Sequence, residues 1–233
     1  MAGRYALTAT PAALRQRFAY VDEPDFPPRA NIAPSQPVAV IVMRDGERRF
    51  VLMRWGFLNS FMTEAPLPLI FAIRAGTARE KPAFRAAFLR RRCLLPADGY
   101  YAWQSRDRPF LVRRQDRAPF AFAALHETYV GRDGGEIDTV GLLTTEAASG
   151  LAGLAPRCPV ILDGADEARW LDPATPVETA QTLCGAPDEG GLEIVPLGTA
   201  VNSAQASGPE IQAPAGPAVR LGGHGHSAQG NLF

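Results

Sequence analysis

Side chains able to do chemistry are sparse in this chain. It has three cysteines (Cys93, Cys158, Cys184), three histidines (His126, His224, His226) and a single lysine, Lys81. The cysteines are odd in number and lack metal-ligand spacing, which argues against a zinc site or a disulfide framework and for a reducing compartment. Cys158 stands beside Arg157 with no base nearby in the sequence, so it reads as a packing thiol. His126 follows the apolar run FAFAAL and reads as a surface or boundary residue. His224 and His226 lie in a glycine-rich stretch, where two histidines alone make a weak metal site. No metal and no cofactor are expected.

The elements that would have to position any site read as mixed. A helix is predicted after Thr10-Pro11, with Leu14, Phe18 and Tyr20 able to share its apolar face. Residues 37 to 43 and 48 to 57 alternate in polarity around Asp45-Gly46, which predicts a β-hairpin. Further β-like runs are RCLLPADGYYAW, PFLVRR, APFAFAAL and DTVGLLTTEA; KPAFRAAFLRR and ADEARWLD have helical spacing. The pattern predicts one α+β domain dominated by antiparallel strands over residues 1–212. From 213 to 233 the chain is rich in Gly, Pro and Ala and predicts a flexible tail. Trp55 and Trp103 sit inside apolar motifs and read as core. Formal net charge is zero over 233 residues, so a nucleic-acid site would have to be a local arginine patch. No apolar run approaches the ~20 residues that cross a bilayer, and the start lacks a signal-like stretch. A monomer in the cytoplasm, without membrane contact, is expected.

Seven segments in one order resemble the SRAP family (SOS response-associated peptidases, sensors of abasic sites in single-stranded DNA). They are GRYALT, NIAPSQ, RWGF, CLLPADGYYAW, TTEA, PRCPVIL and VNS. The resemblance implies a compact α+β fold with a barrel-like core and a positively charged groove. It also implies a mechanism: an N-terminal cysteine, exposed by methionine removal, captures the ring-opened aldehyde of an abasic site as a thiazolidine. The amine adds to the aldehyde and the thiolate closes the ring, while a carboxylate and an imidazole move the protons.

Aligned motif by motif, this chain lacks that machinery. The cysteine position is Ala2, the asparagine position Ala72, the glutamate position Ala102 and the histidine position Ala155. None of these side chains transfers a proton. Departures elsewhere, at Asn59, Gly76, His126 and Ala200, are ones a designed knockout would not introduce and favour natural loss. Arg4, Arg74 and Arg157 match family arginines that contact phosphates, against the alternative of surface salt bridges. Asn31 and Pro34 match a loop that wedges into unstacked DNA or form a plain turn; Phe61 matches a base-packing aromatic or joins the core. The resemblance thus implies a non-covalent binder of single-stranded or abasic DNA, with residual Schiff-base chemistry at the Ala2 α-amine or a DNA-free scaffold as alternatives.

The last residues, Gln229-Gly230-Asn231-Leu232-Phe233, resemble the motif by which bacterial DNA-repair proteins dock on the sliding clamp. A flexible tether would present Leu232 and Phe233 to an apolar groove while Gln229 hydrogen-bonds at its rim.

Overall fold

The computed structural model describes residues 3–59 and 69–222. Strand β1 (Tyr5–Leu7) leads into helix α1 (Pro11–Phe18). Thr10 caps the helix, its hydroxyl accepting the Ala13 N–H at 3.3 Å, and proline at the first position needs no partner for the N–H it lacks. Leu14 and Phe18 bury. Ala19, in the left-handed region at φ 52°, ends the helix. Tyr20 lies beyond it yet is buried, its hydroxyl donating to the Pro11 carbonyl at 3.1 Å.

After β2 (Arg29–Ile32) come β3 (Pro37–Arg44) and β4 (Glu47–Trp55), the expected hairpin. Asp45 and Gly46 turn it with φ of 52° and 78°, the doubly left-handed geometry that matches strand twist. Then follow β5 (Ala72–Arg74), α2 (Ala75–Ala78), α3 (Pro82–Arg90), β6 (Arg92–Ala97), β7 (Gly99–Ser105), β8 (Arg108–Arg114), β9 (Phe120–Val130) and β10 (Glu136–Glu146). The C-terminal part adds α4 (Ser149–Ala152), β11 (Arg157–Pro159), β12 (Ile161–Leu162), α5 (Gly164–Leu171), α6 (Val177–Thr182), β13 (Leu192–Pro196) and β14 (Val219–Arg220). Two 3₁₀ turns, Thr199–Asn202 and Pro209–Gln212, connect β13 to β14.

Strands β3, β4, β10, β9 and β6 pair in that order, and β6 returns to β3, closing a barrel. Closure removes the free edges that invite association. Four seams are antiparallel; β4 with β10 is parallel. The second sheet runs β14-β13-β8-β7-β1-β2. Aromatic rings join the two layers: Tyr5 lies 5.2 Å from Trp55 and 5.8 Å from Phe122, and Tyr100 lies 6.2 Å from Phe122. Strands β6 and β7, a single run in the sequence, belong to different sheets. Asp98 makes the corner, its carboxylate accepting the N–H groups of Thr8 and Ala9 and the Thr8 hydroxyl.

The folded chain continues past the boundary expected at 212. Val219 and Arg220 pair with Ile194 and Glu193, and Leu221 is buried in the main core. Two apolar residues in a Gly/Pro/Ala-rich stretch suffice, because β13 offers an open edge to pair with. No helix among the described residues is long and apolar enough to cross a membrane.

Candidate nucleic-acid interface

The end of β10 gathers three segments. Thr144 pairs in register with Arg74 of β5 on one side and with Pro159 of β11 on the other, and Glu146 pairs with Arg157. Short strands β5 and β11 are therefore templated by β10. Arg157 turns its guanidinium onto Thr144, donating to the carbonyl and, at 2.7 Å, to the hydroxyl. Burial first, and then the neighbouring charge of Arg74, lower the affinity of Arg157 for its proton. Two guanidinium groups thus share one small region. Arg74 is exposed, and neither arginine has an ion-pair partner among the described residues. Glu146, the cross-strand partner of Arg157, offsets part of this positive charge without forming an ion pair with it.

Two of the alanines adjoin this cluster, and a third lies on the other sheet. Ala72 begins β5, half-buried and paired with Leu142; Ala155, also half-buried, precedes Arg157 by two residues. Ala102 is buried on β7 beside the β1 strand. The Tyr101 N–H donates to the Arg4 carbonyl at 3.0 Å, so the chain ahead of Tyr5 runs along β7 toward Ala102. A Cβ placed on Gly3 would meet the Phe71 ring at 3.8 Å, which routes the start of the chain past the residue before Ala72. Ala2 itself, like Phe61, His224, His226, Gln229, Leu232 and Phe233, lies outside the described residues.

At the described alanine positions no side chain can hand over a proton. The nearby phenols are neutral, since burial raises the pKa of both Tyr5 and Tyr100. The Tyr5 hydroxyl is buried without a hydrogen-bond partner among the described residues. Cys158 is a packing thiol, buried and pushed up to about 11 chiefly by desolvation. All three cysteines are free and buried. Among the described residues no group of His, Cys, Asp and Glu has the make-up of a metal site.

Other residues singled out in the sequence have partners of their own. The Arg4 guanidinium donates to the carbonyls of Val201, Asn202 and Ser203 and stacks 5.5 Å over Trp103. The Asn31 amide donates to the carbonyls of Ser203 and Ala206, and its oxygen faces Arg4 at 3.4 Å. Trp103 is half-buried and donates its indole N–H to Asn202 at 2.7 Å, a latch rather than full core. Pro34 leads a turn through Ser35 at φ 74°, pinned where the Ser35 N–H donates to the Trp55 carbonyl at 2.7 Å. Trp55 is fully buried, as expected. His126 sits at a boundary, its imidazole held down to about 4 by burial and by Arg91 and Arg44. Thr144 is the residue sequence reading missed: the motif TTEA contains it, but its role appears only when β11 folds back beside β10.

The family model for SOS response associated peptidase (SRAP) matches residues 1–204. The chain belongs to the SRAP family. Among curated SRAP relatives, abasic site processing protein YoqW of Bacillus subtilis is 29% identical over 220 residues, covering 91% of this chain and 98% of the relative. YoaM of Bacillus subtilis is 31% identical over 193 residues, covering 80% and 85%. YedK of Escherichia coli is 27% identical over 180 residues, covering 73% and 79%. A solved structure from Bacteroides thetaiotaomicron superposes with a TM-score of 0.83 over 91% of this chain and 99% of that one at 19% identity, a likeness of fold. The barrel and the packing of β1 on β7 are thus the SRAP architecture.

Proposed function

We propose that this SRAP protein serves the DNA-damage response by binding single-stranded or abasic DNA without the durable covalent adduct. The observation that carries this reading is the Arg74–Arg157 pair, with no ion-pair partner among the described residues, each arginine two residues after an alanine, Ala72 or Ala155. The names of the relatives, abasic site processing proteins, support DNA as the ligand. Arg4, Asn31 and Pro34 serve the site by holding its rim, and Phe61 supplies an aromatic face. The protein acts in the cytoplasm at the nucleoid as a monomer, and Gln229, Leu232 and Phe233 recruit it to the sliding clamp. A second reading is favoured by the route of Gly3 past Phe71: the Ala2 α-amine forms a hydrolysable imine with the lesion.

The test is salt-dependent binding of single-stranded DNA. Two phosphate contacts correspond to a slope of roughly 1.4 in log affinity against log salt, so Arg74→Ala/Arg157→Ala weakens binding about 25-fold at 0.1 M salt, extrapolating from 1 M. Unchanged affinity in that double variant overturns the site and leaves the scaffold reading.

A further inference from the structure

Charge is distributed very unevenly in this neutral chain. Between Arg74 and Arg92 it carries seven cationic residues (Arg74, Arg79, Lys81, Arg85, Arg90, Arg91, Arg92) and one acidic residue, Glu80. Two of the cations are committed inward. Arg91 pairs with Glu127, and Arg92 donates to the carbonyls of Trp170 and Asp172. Of the rest, Arg85 and Arg90 lie on α3 and Lys81 at its N-cap. The inner face of α3 is fixed by Phe84 against Phe57 at 5.5 Å and Phe88 against Trp170 at 5.7 Å. That leaves Lys81, Arg85, Leu89 and Arg90 exposed.

Several arginines elsewhere are tied to carboxylates, while Arg44, Arg54 and Arg106, exposed and outside the ion pairs, stand far apart in the sequence instead of together on one helix. Arg15 pairs with Glu23, Arg49 with Asp22 and Glu47, Arg114 with Asp116, and Arg169 with Asp166. Arg79, Lys81, Arg85 and Arg90 form no ion pair among the described residues, although Glu80 and Glu178 border the face. The segment begins at Arg74, the N-cap residue of α2, and runs through α2 into α3. From Lys81 to Arg90 the helix covers about 13 Å, the length of roughly four phosphates along one strand of a duplex. Its exposed positions hold no aromatic ring on which a base could stack, so it suits a backbone rather than unstacked bases.

We infer that the outer face of α3, through Lys81, Arg85 and Arg90, is a second DNA-backbone site that binds the phosphodiester chain beyond the segment held at Arg74 and Arg157. This rests on the DNA-binding reading above. The experiment compares wild type, Lys81→Gln/Arg85→Gln/Arg90→Gln and Arg74→Ala/Arg157→Ala on three probes. The probes are a single strand of about six nucleotides, one of about 25, and the short strand joined to a duplex flank. Glutamine keeps the helix propensity of these exposed positions, and an unchanged thermal midpoint verifies folding. The expected result is that the triple variant binds the short strand like wild type but weakens on a long probe by on the order of 100-fold at 0.1 M salt. Loss on the long strand alone names a single-stranded extension as the ligand; loss on the flanked probe alone names duplex. If the triple variant binds both long probes like wild type while the double variant is weakened, this inference fails and the site reading stands. If the double variant binds like wild type and the triple variant is weakened, the site reading fails and the α3 face stands.

Discussion

Replacing Asn31 by alanine tests whether this residue is a latch. Its side chain is buried and donates to Ser203 at 3.0 Å and Ala206 at 2.7 Å, tying β2 to the segment that follows the first 3₁₀ turn. Each net hydrogen bond contributes about 1 kcal/mol, and leaving both carbonyls partly buried without a donor raises the loss to roughly 2 to 3 kcal/mol. At about 2 to 4 °C per kcal/mol for a domain of this size, the midpoint should fall by roughly 5 to 10 °C. Asn31→Asp keeps the oxygen facing Arg4 but sets a carboxylate against two carbonyls, so it should melt no higher than the alanine variant. Calorimetry measures both, and amide exchange should quicken across residues 199 to 212. A midpoint for Asn31→Ala within about 1 °C of wild type would refute the latch and return Asn31 to a purely DNA-facing role.

Three further outcomes follow from the structure. His126 is held at about 4, below the ordinary 6.5, so the folded state gains stability above 6.5 and loses it as pH falls from about 6.5 toward 4. His126→Gln should flatten that acid-side decline, by on the order of 2 to 3 kcal/mol between those limits, and an identical decline in wild type and variant would contradict the assignment. Gly141 lies where an added Cβ would meet Ile73 Cδ1 at 2.6 Å and Phe57 Cβ at 3.0 Å, so Gly141→Ala should cost about 1 to 3 kcal/mol in denaturant unfolding. Deleting the last five residues should abolish binding to the sliding clamp and leave the thermal midpoint unchanged, and equal clamp affinity after deletion would falsify the recruitment motif.

Elements specified by neighbouring residues were legible in the sequence. Thr10-Pro11 and the spacing of Leu14 and Phe18 announce α1, and Asp45-Gly46 between alternating runs announces the β3–β4 hairpin. Strands of two or three residues were not legible, because β5, β11, β12 and β14 exist only on a partner strand already in place. The parallel β4–β10 seam joins Arg54 to Thr139, too far apart for any local signal. Motifs marked Ala72, Ala102 and Ala155, yet the carbonyl partners of Arg4 and Asn31 lie about 170 to 200 residues away along the chain. Thus the arginines looked alike in sequence, whereas the fold separates Arg4, bound to carbonyls, from the neighbouring pair Arg74 and Arg157.

The most direct test of the proposal that abasic DNA is held without a durable covalent adduct is denaturing electrophoresis of labelled abasic single-stranded DNA, run with and without borohydride. Imine formation needs only the neutral Ala2 amine, whereas ring closure needs a thiol, and Cys158 is buried with its pKa pushed up to about 11. Weak trapping that requires borohydride, and disappears when an N-terminal extension blocks the amine, is the expected result; trapping that persists moves the reactive amine to Lys81. An adduct that survives denaturation without any reductant would contradict the account.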